Sequence, residues 1–216
     1  MRKSILILFI ICQQIIYCQQ YQFDNYYEYE SKFGEISFIM TNSSDSTFIF
    51  KGNRNTNDIT GYICDFKKFE YHYYNVSNIK NAISFKYINS KAVKGLDPQW
   101  KESKVEYNYT ISKIDSLKES LKIIKYKLNR KSKSRLSEVE IIYDKNNVNY
   151  FYPYLALGFF TNHFFDNRII DNTYNRLPIK ISFDFYNGYR SSFTLTKKQK
   201  INTLLTISKQ DINYIP

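Results

Sequence analysis

Residues 179–195 read Ile-Lys-Ile-Ser-Phe-Asp-Phe-Tyr-Asn-Gly-Tyr-Arg-Ser-Ser-Phe-Thr-Leu, and the fold class can be inferred from them. Apolar side chains at Ile179, Ile181 and Phe183 alternate with polar ones, which is the pattern of a strand with one buried face. Asn187-Gly188 then precedes a second apolar segment, and such a pair between alternating segments is the strongest short-range hairpin signal. The stretch therefore predicts two antiparallel neighbouring strands.

The same alternation recurs through most of the chain. It covers segments at 23–30, 36–40, 48–50, 105–111, 124–128 and 139–144. One apolar and one polar face is typical of an antiparallel sheet packed on one side. We therefore predict a mainly β fold, one large curved antiparallel sheet with few short helices, in a single monomeric domain over 19–216. The helix candidates are 114–121 and 150–160, and the predicted core is the apolar face with Phe38, Tyr107, Ile141, Ile181 and Phe183.

Residues 1–18 are predicted to be a secretory signal peptide. Arg2 and Lys3 precede an apolar run over 4–12, which is too short to span a bilayer. Cys18 is small enough to lie just before the cut, so Gln19 would begin the mature chain. Lipidation of Cys18 is the alternative, and the bulky Tyr17 before it disfavours that. The expected location is the periplasm, the outer membrane or the exterior.

Composition narrows the class of protein. The 216 residues carry a net charge of +11, and aromatic residues make up 18% of them. Such a chain can bury a core and is not disordered. Of three cysteines only Cys64 follows the predicted cut, so the mature domain has no internal disulfide and is stabilised by packing alone.

Several segments together resemble one group of proteins. They are Tyr26-Tyr27-Glu28-Tyr29-Glu30, the turn over 40–46, the basic hairpin before Ile141-Ile142-Tyr143, and the Phe185-Tyr186-Asn187-Gly188 turn before Phe193. The chain resembles exported flavobacterial (Bacteroidota) proteins with no known activity. The resemblance implies a half-open β-sheet of the LolA-like kind, as in periplasmic lipoprotein carriers, and it implies no catalytic residue.

Catalytic chemistry has weak support in the sequence. His72 and His163 are far apart, and neither has the neighbours that a metal site or a general base needs. No nucleophile elbow, zinc-protease, phosphate-loop or Cys-x-x-Cys motif is present. Glu138 and Glu140 are spaced for paired carboxylate chemistry, although a solvated strand face explains them better. We therefore predict no catalytic residue, no metal and no cofactor.

The most distinctive chemical feature is a basic cluster on a predicted hairpin. Its members are Lys125, Lys127, Arg130, Lys131, Lys133 and Arg135. We expect both strand lysines on the polar face, with Glu138 or Glu140 pairing across the hairpin and the turn cations left unpaired. Such a cluster favours phosphate-bearing partners such as lipid headgroups or lipopolysaccharide. The alternative is a solvated tip that discourages edge aggregation.

Three functions are compatible with these features. The first is a non-enzymatic envelope protein whose aromatic sheet face binds an apolar ligand, a lipid or a partner protein. The second is a hydrolase with an unrecognised site, and the third is a small outer-membrane barrel. Nucleic acid is not an expected partner, because no binding motif accompanies the charge.

Overall fold

The protein is an all-β structure in the part of the chain that is described. A computed structural model describes residues 18–54, 59–79, 82–92, 105–129, 132–144 and 177–208. Eleven strands occupy these residues: β1 (Cys18–Ser31), β2 (Ile36–Thr41), β3 (Phe48–Arg54), β4 (Ile59–Asp65), β5 (Glu70–Ile79), β6 (Ala82–Ala92), β7 (Val105–Lys113), β8 (Lys118–Asn129), β9 (Ser132–Asp144), β10 (Leu177–Asp184) and β11 (Arg190–Ser208). The predicted signal peptide lies outside them except for Cys18.

The strands form one open antiparallel sheet, in the order β6-β5-β4-β3-β2-β1-β11-β10-β9-β8-β7. Each neighbour in the sheet is also a neighbour in sequence, except that β1 pairs with β11. β6 and β7 follow one another in the chain, and they form the two edges of the sheet. The predicted fold class, a large antiparallel sheet that does not close, is confirmed.

The hairpin predicted from 179–195 is confirmed. β10 and β11 pair with Ile181 opposite Phe193 and with Asp184 opposite Arg190. The connecting turn over 185–189 places Gly188 at φ +91°, in the left-handed region that favours glycine. The amide of Tyr189 donates to the side-chain oxygen of Asn187 at 3.0 Å. Both residues of the Asn-Gly pair therefore have a defined part in the turn.

The helix candidate at 114–121 is wrong. Residues 114–117 form the turn between β7 and β8, and β8 begins at Lys118. The carboxylate of Asp115 accepts hydrogen bonds from the amides of Leu117 and Lys118, both at 2.7 Å. Such a side-chain-to-backbone bond stabilises a turn instead of a helix. No helix occurs in the described residues, and the candidate at 150–160 lies outside them.

The sheet is buried on both faces over β2–β4, whereas the alternation predicted one buried face. Phe38 and Met40 pack on one side of β2, and Ile39 between them packs on the other. β3 does the same with Phe48, Ile49 and Phe50. Successive side chains of a strand point to opposite faces, so two separate clusters sandwich this part of the sheet.

The first of these, here called the aromatic cluster, covers β1–β6 and the end of β11. Phe50 lies at its centre, with ring centroids of Phe38, Tyr74 and Phe85 at 5.8, 5.9 and 5.2 Å. Rings at these separations attract one another beyond the area that they bury. Its members are Tyr21, Phe23, Tyr26, Phe38, Met40, Phe48, Phe50, Ile63, Tyr74, Val76, Leu205 and Ile207.

The second, here called the long cluster, lies on the opposite face and runs across β1–β4 and β8–β11. Its members are Tyr27, Tyr29, Ile39, Ile49, Cys64, Leu121, Ile123, Val139, Ile141, Tyr143, Leu177, Ile181, Phe183 and Phe193. The hydroxyl of Tyr29 donates to the carbonyl of Pro178 at 3.0 Å, across the intervening β11. Four of the five predicted core residues belong to or pack against this cluster, and Phe38 belongs to the other.

β1 supplies both clusters, and a shift in its pairing with β11 changes which of its residues face each one. The shifts lie between Phe23 and Asn25 and between Glu28 and Tyr29. At the first shift Asp24 has no direct partner on β11 and the alternation of β1 reverses, whereas at the second the extra residue is Thr196 of β11 and β1 continues unchanged. Accordingly Phe23 and Tyr26 belong to the aromatic cluster, and Tyr27 and Tyr29 belong to the long cluster.

Candidate functional site

The predicted basic cluster is divided between two faces of the β8–β9 hairpin. Lys125 lies on the same face as Leu121 and Ile123, is only 6% exposed, and has its ammonium 5.7 Å from the Tyr107 ring. The expectation that Lys125 points to the polar face is therefore wrong. Lys125 continues the buried alternation of Leu121 and Ile123, and the shift in the β8–β9 ladder comes only after it, where Leu136 of β9 is the extra residue.

The other described cations of the cluster lie near the tip of the hairpin. Lys127 is exposed, and Lys133 forms an ion pair with Glu106 at 2.5 Å while lying 4.1 Å from the Tyr126 ring. Arg130 and Lys131 fall outside the described residues. The tip therefore includes an ion pair that the sequence did not predict, because Glu106 belongs to β7, on the far side of β8.

Arg135 is held by tyrosine hydroxyls. Its guanidinium donates to the hydroxyl of Tyr186 at 3.3 Å, and this bond, with another to Tyr126, raises the pKa of the already cationic group. Tyr186 in turn donates to Glu138 at 2.8 Å. These contacts join the tip of the β8–β9 hairpin to the β10–β11 turn.

Glu138 pairs with Lys122 at 2.5 Å, and not with Lys125 or Lys127 as expected. Partial burial pushes the pKa of Glu138 up, but the hydrogen bonds from Lys122 and Tyr186 outweigh that effect and hold it below its ordinary value. The hydrogen bond to Glu138 also raises the pKa of Lys122. This carboxylate is therefore a structural ion-pair partner, which agrees with the solvated-face interpretation.

Exposed aromatic side chains occupy two adjacent turns at this end of the sheet. Phe33, in the turn after β1, is 61% exposed, while Tyr186 and Tyr189, in the turn before β11, are 44% and 53% exposed. The amide of Lys32 donates to the carbonyl of Ser192 at 2.9 Å, which places the two turns side by side. Sequence analysis did not predict this grouping, because residues 33 and 186 become neighbours only through the β1–β11 pairing.

Cations accompany these aromatic side chains. The ammonium of Lys32 lies 4.7 Å from the Phe33 ring, and Arg135 lies 5.9 Å from the Tyr186 ring. Arg190 follows Tyr189 directly and pairs with Asp184 at 2.7 Å. We call this set the basic-aromatic end, defined by Lys32, Phe33, Lys127, Lys133, Arg135, Tyr186, Tyr189 and Arg190.

An open groove of about 460 Å³ lies beside the basic-aromatic end on β9–β11. Its charged lining residues are Lys32, Glu138, Glu140, Lys180, Asp184 and Arg190. Cations and carboxylates are equal in number here, and Glu140 also accepts a hydrogen bond from Ser120 at 2.9 Å. The groove is therefore polar and nearly neutral, unlike the turns next to it.

His72 lies in a buried chain of hydrogen bonds on the face of the aromatic cluster. Its Nε2 is 2.9 Å from the hydroxyl of Tyr21, which donates to Asp65 at 2.7 Å, and its Nδ1 is 2.6 Å from Ser90. Tyr87 lies 2.8 Å from the same Ser90 oxygen. Burial lowers the pKa of His72 to about 4, although Asp65 opposes this effect. A neutral ring protonated on Nε2 satisfies every member of the chain.

A second buried group with altered chemistry is Lys51, on the opposite face. It is 4% exposed and lies 5.7 Å from the Tyr62 ring. Burial lowers the pKa of Lys51 to about 7, and it raises the pKa values of Tyr62 and Cys64. The sequence contains one indication that Lys51 is buried, because it occupies an apolar position in the alternation that begins at Ile49.

Neither buried group resembles a reaction centre that solvent can reach. The ring of His72 is completely enclosed, and Ser90 beside it is also fully buried. His163 lies outside the described residues. In the described part of the chain no group of three or more potential metal ligands converges. Nor does any helix there have the length and apolar character needed to cross a membrane.

Comparison with models of known protein families gives no match for this chain, and no curated protein matches it either.

Proposed function

We propose that the protein is an exported, non-enzymatic envelope protein that binds an anionic lipid surface through its basic-aromatic end. The observation that carries the proposal is the exposure of Phe33, Tyr186 and Tyr189 on adjacent turns, each next to a cation. Aromatic rings at the level of lipid headgroups and basic side chains facing phosphates are the usual elements of an interfacial contact. Lipopolysaccharide presents the same anionic chemistry.

The charge of the whole molecule supports this proposal. The net charge of +11, which becomes +9 once Arg2 and Lys3 are removed with the signal peptide, attracts the chain to an anionic surface over distances comparable to the Debye length. Side chains that touch the surface then decide the orientation. Because Lys127 and Arg135 are exposed at the same end as the aromatic side chains, they are suited to face lipid phosphates together.

Export is part of the proposal, since the predicted signal peptide over 1–18 is what brings the chain to the envelope. The LolA-like resemblance remains a prediction beside it. The buried state of His72 favours binding over hydrolysis, because an enclosed base does not reach a substrate.

Binding to vesicles tests the proposal. We expect the protein to co-sediment with vesicles containing phosphatidylglycerol and not with purely zwitterionic ones, with affinity falling as salt is raised. Each basic residue near an anionic surface contributes about 1 kcal/mol. The double variant Lys127→Gln with Arg135→Gln should therefore bind about tenfold or more weakly, and Phe33→Ser with Tyr189→Ser should also lose affinity.

A matched control removes the same charge from the opposite end of the sheet. Lys91 and Lys118 are both exposed there, so Lys91→Gln with Lys118→Gln changes the net charge equally. If the basic-aromatic end is the contact, this control variant keeps nearly full affinity. It loses only the part that comes from long-range attraction between the net charge and the surface. Equal losses in both double variants, or no preference for anionic vesicles, would refute the proposal.

A further inference from the structure

The two edges of the open sheet differ in how they are protected. On β6 the pairing with β5 shifts between Tyr73 and Tyr74, which leaves Ile88 as an extra residue in the edge strand. Lys86 and Lys91 are exposed on the same strand. A bulge and edge lysines are the usual devices that prevent a sheet edge from pairing with another chain.

β7 lacks such devices. Its pairing with β8 runs without a shift from Val105 opposite Lys127 to Lys113 opposite Glu119. All residues from 108 to 113 are exposed, including Tyr109 at 54% and Ile111 at 46%. Charged residues of β7 lie only near its ends, at Glu106 and Lys113. A long, regular and partly apolar edge is a template for strand pairing.

The long cluster also ends abruptly at this edge. Leu121 and Ile123 of β8 are almost completely buried, whereas their direct partners on β7, Ile111 and Tyr109, are about half exposed. Cross-strand partners share a face, so the two β7 side chains continue the apolar face of the sheet, and none of the described strands covers them on their outer side.

We propose that β7 pairs in antiparallel orientation with β7 of a second copy of this chain, about a two-fold axis at Tyr109. The resulting dimer has one continuous sheet that passes through both molecules. This pairing goes beyond lipid binding, and it replaces the expectation of a monomer.

The sequence of β7 is complementary to itself in this register. Tyr109 lies opposite its own copy, and Tyr107 lies opposite Ile111, so aromatic and β-branched side chains meet on the face of the long cluster. On the other face Asn108 meets Thr110, and Glu106 meets Ser112. Such pairs stabilise antiparallel strands, and no two like charges are directly opposed. A two-fold axis also closes the assembly at two copies, since the β6 edges remain protected.

Analytical ultracentrifugation of the purified protein over a dilution series tests the proposal. We expect a monomer–dimer equilibrium that strengthens as salt is raised, because two strongly positive chains repel each other. Tyr109→Lys places two ammonium groups face to face at the axis, and it should therefore weaken association by about tenfold or more. Mixing Tyr109→Lys with Tyr109→Glu should restore it.

Ile88→Lys is the matched control, because it introduces the same charge at a similarly exposed position on β6. It should leave the dimer as strong as in the wild type. An additional measurement does not depend on affinity: oxidation of Tyr109→Cys should yield a dimer linked between the introduced thiols, and oxidation of Ile88→Cys should not. A wild type that remains monomeric at every concentration, or association that Tyr109→Lys does not weaken, overturns the proposal.

Discussion

At the level of single residues, the molecule buries two bases that are exposed in most proteins. His72 and Lys51 lie on opposite faces of the same part of the sheet, and both have lowered pKa values because burial disfavours their charged forms. In each case the neutral form is the one that the surroundings accommodate. The lowered pKa values of His72 and Lys51 therefore affect first of all how the free energy of unfolding depends on pH.

His72 allows the sharper pH prediction. Its pKa is 6.5 in the unfolded chain and about 4 in the folded one, so the folded state binds the proton less readily. The stabilisation is complete above pH 6.5 and is lost as the pH falls from 6.5 through 4. The loss amounts to about 3 kcal/mol. Protonation of Nδ1 also requires the Ser90 hydroxyl to change from donor to acceptor toward the ring, which rearranges the chain of hydrogen bonds.

Urea unfolding at several pH values between 7 and 4 measures this effect. His72→Gln cannot titrate, so its unfolding midpoint should fall less steeply with pH than that of the wild type, although it starts lower at pH 7. Carboxylates contribute equally to both proteins and cancel in the comparison. Parallel curves for the two proteins would contradict the assignment of this pH dependence to His72.

At the level of elements, β3 and β4 depend on two glycines that lie under aromatic rings. A Cβ atom added to Gly52 would overlap the ring of Phe38, and one added to Gly61 would overlap the ring of Phe50. Gly52 is the direct cross-strand partner of Phe38. The absence of a side chain allows the rings of Phe38 and Phe50 to stack at 5.8 Å.

Gly52→Ala is accordingly expected to destabilise the protein by about 1–3 kcal/mol through overpacking. Chemical denaturation measures the change. In a Phe38→Ala background the ring is gone, so the same alanine should cost much less, and the double-mutant cycle should give a large coupling energy. If the cost of Gly52→Ala is the same in both backgrounds, contact with the ring is not its cause.

The strands also differ in how well the sequence predicted them. The strands at β7, β9 and β10 follow from plain alternation. The double burial of β2 and β3 had a signal in the unbroken apolar runs Phe38-Ile39-Met40 and Phe48-Ile49-Phe50, which are typical of strands covered on both faces. The position of Lys125 had two conflicting signals, because Leu121 and Ile123 place it on the apolar face whereas Ile124, Tyr126 and Leu128 place it on the polar one.

At the level of the whole molecule, the pairing of β1 with β11 determines the candidate site. The Cα partners extend from Cys18 opposite Ser208 to Ser31 opposite Phe193, so the first and last described strands lie side by side. This brings Phe33 beside Tyr189 although they are far apart in sequence. Alternation predicts strands but not their order in the sheet. The cations of the basic cluster could therefore be recognised in the sequence, whereas the aromatic side chains that lie next to them could not.

The two clusters share β1–β4, and this sharing predicts how the molecule unfolds. Phe50 lies at the centre of the aromatic cluster, whereas Ile141 of β9 belongs only to the long cluster. Phe50→Ala should cost about 3–5 kcal/mol, as expected for a fully buried ring. Loss of support for β3 also removes Ile49 from the long cluster. Amide hydrogen exchange at Ile141 should therefore accelerate together with exchange in β3, as expected for one cooperative unit.

The exposed substitution Leu117→Ser, in the turn between β7 and β8, serves as the control, and it should leave exchange in both β3 and β9 close to the wild-type rates. Exchange at Ile141 that stays slow in Phe50→Ala, while exchange in β3 accelerates, would show that the two parts of the sheet open separately. That result would contradict the inference that the shared strands couple the aromatic cluster to the long cluster. β1 pairs with β11 and contributes to both clusters. Slow exchange at Ile141 would therefore also mean that β8–β11 stay stable when the aromatic cluster is no longer intact.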